Sequence, residues 1–418
     1  MQTKVVLLFI LYTLCCLAYS STIHVPGDYP SIQAALVNAN TSDTILVAPG
    51  TYYEHITWPN THGIKLLGEY GPDTTIIDAA GALRCISINF SVDSTTVISG
   101  FTICNGNMAD GGGISCIGTS PSIVNNIISN NSLGSGIWID SGDPIIINNI
   151  ISHNTGYDGG GISCRMFSNP RIEHNLIQYN SATSGYGSGG GICAVDAQLI
   201  IEGNTINHNT AISGGGIYTF KTYSIIRYNT ITNNMAQYGA GIRFYQSDAT
   251  VNHNDIFDNG YGMSSGFMAG LINAKNNWWG DATGPYHTTN PDGLGDTVSD
   301  YVDFTPWVTK PHGLEEHSVE APIGVYLKAS PNPFNKKTEI RFTIQDSRFM
   351  IENPELRIYD TGGRLVKSFN LGSWILDHGS AVRWDGTDEY NRQLGSGVYF
   401  LKFNVAKENI IEKLVLID

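Results

Sequence analysis

The sequence predicts an all-β protein, a parallel β-helix of stacked coils followed by a small β-sandwich of immunoglobulin type. Three observations carry this expectation. Between Gly100 and Gly280 the pattern Asn-x-Ile returns at Asn126, Asn149, Asn175, Asn204, Asn229 and Asn254, with Asn277-Trp278-Trp279 as a bulkier last copy. The steps are 23, 26, 29, 25, 25 and 23 residues, and a second Asn stands five positions after each of the first six. Between these pairs a glycine cluster ending in Ile recurs, as in Gly159-Gly160-Gly161-Ile162 and Gly214-Gly215-Gly216-Ile217. Self-similarity at this period is the signature of stacked units. Beyond Gly324 the repeat is gone, and short β-branched and aromatic runs alternate with turn signals.

Each unit reads as one coil. Helical repeats are excluded because Gly, Pro and Asn interrupt every unit before a helix could form. A leucine-rich repeat needs Leu where this chain has Ile. Short runs around Ile114, Ile123 and Ile128, separated by turn residues such as Ser120-Pro121, give three strands and three turns per coil. Coils stack at strand spacing, about 4.8 Å, so equivalent side chains fall above one another. The two Asn columns are therefore expected to form amide ladders. Glycines supply the positive-φ bends.

These residues resemble the right-handed parallel β-helix proteins of the pectin-lyase-like superfamily, over Thr22 to Trp307. The most specific stretch is Asn276-Asn277-Trp278-Trp279-Gly280, then Gly284-Pro285 and Val302-Asp303-Phe304-Thr305-Pro306-Trp307. The resemblance implies a single-stranded right-handed solenoid. It implies no particular reaction, because fold alone does not give function.

Taken in order, residues 1–20 read as a signal peptide: Lys4, an apolar run from Val5 to Leu17, then Ala18-Tyr19-Ser20 as a cleavage site. The β-helix is expected over 21–307. Ile23-His24-Val25 opens it, and Asp28 to Asn40 predicts a short helix with Ile32, Ala35, Leu36 and Ala39 on one stripe, covering the open end of the solenoid. Residues 308–324 read as a linker. Residues 325–418 carry seven short strands with Asp360-Thr361-Gly362-Gly363 and Asp385-Gly386-Thr387 as turns. Ser330-Pro331-Asn332-Pro333-Phe334-Asn335, Leu356-Arg357-Ile358-Tyr359-Asp360, Trp384-Asp385-Gly386 and Ser396-Gly397-Val398-Tyr399-Phe400 resemble the C-terminal sorting domain of type IX secretion cargo. That resemblance implies passage through the type IX secretion machinery to the medium or to the outer-membrane surface of a Gram-negative bacterium.

Composition narrows the partners. Lys and Arg number 23 against 37 Asp and Glu, a net charge of −14 with no basic block, which argues against nucleic acid. Five cysteines remain after the signal, with no metal-type spacing, and read as buried small apolar residues. A monomer is expected.

Chemistry would sit on an outer sheet face. If Ile of each glycine cluster points inward, one outward column reads Ser115, Trp138, Ser163, Cys193, Tyr218, Arg243. The next reads Ile117, Asp140, Arg165, Val195, Phe220, Tyr245. Rings beside charged groups in a linear groove suit an extracellular polysaccharide, so Trp138, Asp140, Arg165, Tyr218, Phe220, Arg243 and Tyr245 are the binding candidates. A non-catalytic binding module, a polysaccharide lyase or glycoside hydrolase acting on an acidic glycan, and a purely structural surface protein are the alternatives. Arg165 or Arg243 could be a lyase base, but no catalytic residue is assigned. Glu173 and Glu202, one coil apart, could pair for glycoside hydrolysis, yet Arg227 continues their column as in a charge ladder. His153 and His208 share one slot, His174 and His253 another, without metal-ligand spacing. No cofactor is required. Calcium is conceivable at Asp110 and Asp158 beside the glycine clusters, where turn formation explains the same residues.

Overall fold

The computed structural model describes residues 20–312, apart from 186 and 267–269, and most of 325–417. In that last stretch the described residues are 325–332, 334–335, 337–344, 355–360, 364–370, 380–389, 392–405 and 408–417. The expected signal peptide, except Ser20, and the later part of the expected linker lie outside the described residues. Contacts divide the chain into two compact units, Met1–Gly313 and Leu314–Asp418.

The first unit is a parallel β-solenoid. Among the described residues its strands form three main parallel sheets of twelve, ten and nine strands, each strand paired with its equivalent one coil away. Ile114↔Ile137↔Ile162↔Ile192↔Ile217↔Ile242 run in register along the ten-stranded sheet. Ile128↔Ile151↔Ile177↔Ile206↔Ile231↔Ile256 do the same in the nine-stranded one. All of these are fully buried. Burying one Ile side chain is worth roughly 1.5–3 kcal/mol, so the inward columns supply most of the driving force.

The Asn columns form the expected ladders. Asn175 Nδ2 donates to Asn204 Oδ1 at 3.0 Å, Asn204 to Asn229 at 3.0 Å, and Asn229 to Asn254 at 2.9 Å. The second ladder runs Asn131, Asn154, Asn180, Asn209, Asn234, Asn259 and ends on a carboxylate: Asn259 Nδ2 donates to Asp296 Oδ2 at 3.0 Å. Asp296 also accepts from the backbone N–H groups of Asn259 and Gly260, and burial raises its pKa above the ordinary carboxylate value. An acid fits there because the terminal position has only to accept.

The predicted cap is a helix over Ile32–Asn38, with Ile32, Ala35 and Leu36 buried. Ser31 Oγ accepts from the Ala34 N–H at 3.1 Å. The Glu54 carboxylate, reaching from the first coil, accepts from the Ile32 and Gln33 N–H groups at 2.9 and 2.8 Å. At the other end the opening of the expected linker stays on the solenoid. Val308 N donates to Asn277 O at 3.1 Å, and His312 N to Asp255 Oδ1 at 2.9 Å.

The second unit holds two antiparallel sheets, of three and four strands among the described residues. One core joins them, with Ala329, Ile340 and Trp384 from one sheet meeting Leu356, Ile358, Leu401, Phe403 and Leu414 from the other. That is the small β domain the sequence predicts.

Candidate ligand-binding face

The outer surface of the ten-stranded sheet carries the seven predicted residues in the predicted register. Ser115↔Trp138↔Ser163↔Cys193↔Tyr218↔Arg243 form one column and Ile117↔Asp140↔Arg165↔Val195↔Phe220↔Tyr245 the next. The columns differ in access. In the first, Ser115, Ser163 and Cys193 are fully buried although they point away from the core. The reason lies in the glycine clusters: their corner backbone runs against this column. A Cβ on Gly111 would stand 2.6 Å from Trp138 Cβ, and one on Gly214 2.8 Å from Tyr218 Cβ. The first column is therefore a partly roofed strip, and the open floor of the face is the second column.

Two clusters occupy the face. Around Arg165, the guanidinium lies over the Trp138 ring, 4.9 Å from its centroid. Its Nη2 donates to Asp158 Oδ2 at 2.8 Å and its Nε to Ser163 Oγ at 3.3 Å. Asp158 Oδ1 also accepts from the Ser188 backbone N–H at 3.2 Å. Further along, Phe220 packs against Tyr245 with centroids 5.7 Å apart, and Lys221 Nζ stands 5.0 Å from the Phe220 centroid. Arg243 donates to Ser264 Oγ at 2.9 Å and lies 5.9 Å from the Tyr238 ring. Tyr218, between the clusters, is half-buried, and burial raises its phenol above its ordinary pKa. Asp140 accepts from Ser141 Oγ at 2.7 Å. Arg165 is thus committed to Asp158, which is the carboxylate it would have to leave to act as a base.

The other candidate groups resolve into structure. Glu173 is held by Arg171 Nε at 2.8 Å and Glu202 by Arg227 Nη2 at 2.8 Å, so each carboxylate has its own cation. Both oxygens of Asp158 are engaged, Asp110 is exposed, and among the described residues no group of three or more His, Cys, Asp or Glu is placed to hold a metal ion.

Three of the four histidines, His153, His208 and His253, join ladders that sequence reasoning missed. Tyr179 stacks on His153 at 5.2 Å and on His208 at 4.9 Å, and Tyr228 stacks on His253 at 5.2 Å. Each occupies the positive-φ corner immediately before a ladder Asn. The signal was present: Tyr179 and Tyr228 stand in the same slots as the histidines.

Two family models match the chain. One, described as right handed beta helix region, covers residues 112–278. The other, described as secretion system C-terminal sorting domain, covers residues 328–417. No curated protein and no solved structure matches.

Proposed function

Starting from a right-handed β-helix protein with a type IX C-terminal sorting domain, secreted or displayed on the cell surface, we propose that this chain binds an extracellular polysaccharide along its ten-stranded sheet. One observation carries the reading. Rings and cations line four of five successive coils of one open face, the coil of Val195 excepted: Trp138 under Arg165, Phe220 beside Tyr245 and under Lys221. Pyranose rings present C–H faces to such side chains, and their hydroxyls bond to the charged groups between them. A solenoid offers these contacts at a fixed axial step, which suits a linear polymer more than a compact ligand. In this reading residues 1–20 begin export, the sorting domain completes it through the type IX machinery, and the chain works as a monomer without a cofactor.

The test is retention on immobilised polysaccharides together with a degradation screen, run with calcium and with a chelator. Wild-type protein is expected to be retained without releasing new chain ends. The double change Phe220→Ala plus Tyr245→Ala is expected to weaken retention at least tenfold, since two ring contacts of about 1 kcal/mol each are lost. Unchanged retention by the double variant would remove the face from the site. Chain cleavage would replace the binding module with an enzyme, and calcium dependence of that cleavage would favour a lyase.

A further inference from the structure

One corner of the solenoid breaks the repeat. From the last residue of each strand on the binding face to the residue in register with Ser122 in the next sheet, the chain takes five steps in most coils: Ile117 to Ser122, Asp140 to Ile145, Val195 to Ile200, Phe220 to Ile225, Tyr245 to Thr250. From Arg165 to Arg171 it takes six. Neighbouring corners turn on a single positive-φ residue, such as Ser141, Asp196, Lys221 or Gln246. Here Met166 and Phe167 are both in the left-handed region, with φ of 53° and 64°. Such a conformation is unfavourable for a bulky side chain by roughly 1–2 kcal/mol. The Phe167 N–H donates to Asp196 O at 2.6 Å, which pins the bulge to the following coil. Strain held in place by its surroundings points toward use rather than packing.

What the extra residue does is put a ring into solvent. Phe167 is 86% exposed, more than any other large hydrophobic residue among the described ones. The other rings of the face are less open: Trp138, Tyr218 and Phe220 are half-buried, and Tyr245 is 37% exposed. Stacking on a sugar needs a free ring face. Phe167 has one, two residues beyond Arg165.

The charges around it select the ligand. Asp140 and Asp143 lie on the corner one coil before and Asp196 on the corner one coil after, while Arg165 is already paired with Asp158. Arg171, at the end of the same corner, is likewise paired, with Glu173, and Lys221 stands two coils on and over the Phe220 ring. A uronate or sulfated chain would meet this surplus of carboxylates, on a protein of net charge −14. An uncharged pyranose chain would not.

We infer that Phe167 is the stacking platform of the face and that the polymer it takes is a neutral polysaccharide. This rests on the binding reading above and names its ligand class. The experiment is affinity electrophoresis of the full chain through gels containing mixed-linkage β-glucan, galactomannan, polygalacturonate or alginate. Wild-type protein is expected to be retarded by a neutral polymer and not by the acidic ones. Phe167→Ala and Phe167→Gly are each expected to lose about fivefold in affinity, the loss of one ring contact, while Phe167→Trp keeps it. Phe167→Gly is also expected to leave the melting temperature unchanged or higher, because Gly accepts the left-handed corner without strain. A fall of several degrees in that variant would make the ring a packing residue and overturn the inference. So would retardation by polygalacturonate in preference to the neutral gels. Retention lost in Phe220→Ala plus Tyr245→Ala but intact in the Phe167 variants would overturn this inference and leave the face standing. No retardation of the wild type in any gel would overturn the binding reading itself.

Discussion

Asn204→Ala is expected to lower the stability of the solenoid by about 4 kcal/mol, a fall in melting temperature of roughly 10 °C. Asn204 is almost completely buried. Its Nδ2 donates to Ile172 O, Glu202 O and Asn229 Oδ1 at 2.8, 3.1 and 3.0 Å. Its Oδ1 accepts from the backbone N and Nδ2 of Asn175 at 2.8 and 3.0 Å. Alanine leaves these partners without water to replace the amide, at about 1–3 kcal/mol for each group orphaned. Asn204→Asp should be worse. A carboxylate would face three acceptors with no proton to offer, whereas Asp296 faces only donors at its end of the other ladder. Thermal melts followed by circular dichroism decide this. A shift under 2 °C for Asn204→Ala would mean that the ladder is not a main support of the coil.

Alkaline pH is expected to destabilise the protein through its cysteines. Burial pushes the Cys85 and Cys116 thiols up to about 12 and Cys104 to about 11, and raises Cys164 and Cys193 further, from an ordinary value of 9.0. These are raised folded-state values, so their contribution is fully present below pH 9 and is lost as pH climbs from there toward 12. Over that window the unfolded chain releases thiol protons that the folded chain keeps. At pH 10 each deeply buried thiol accounts for about 1.4 kcal/mol. Wild-type protein should therefore lose about 3 kcal/mol more between pH 8 and pH 10 than the variant Cys116→Ala plus Cys164→Ala. Denaturant midpoints at the two pH values measure the difference. Parallel losses in both proteins would place the alkaline sensitivity on other groups.

The fold was legible because the residues that build it are local and repeated. Asn in two columns and Ile between them name the coil, its register and its inward face, and the strands pair as that register requires. What the spacing could not convey is coverage. Ser115, Ser163 and Cys193 point outward as their positions dictate, yet the glycine-cluster backbone of the same sheet edge closes over them. Whether a side chain is reachable depends on where corners fold, and corners leave a weaker trace than strands. The ring ladders through Tyr179 and Tyr228 were readable in principle, since each ring stands one position before a ladder Asn. So was the six-step corner holding Phe167, which shows only when corner lengths are counted coil by coil.

The two ends of this solenoid are complementary surfaces. Strands run parallel and each ladder amide donates toward the next coil, so one end presents what the other accepts. A contact of that kind between separate copies is heterologous and does not close; it propagates as a filament. The helix Ile32–Asn38 at one end and Asp296 at the other stand where such growth would start. They are chain terminators in the polymer sense: each occupies an end of the stack on which a further coil would otherwise add.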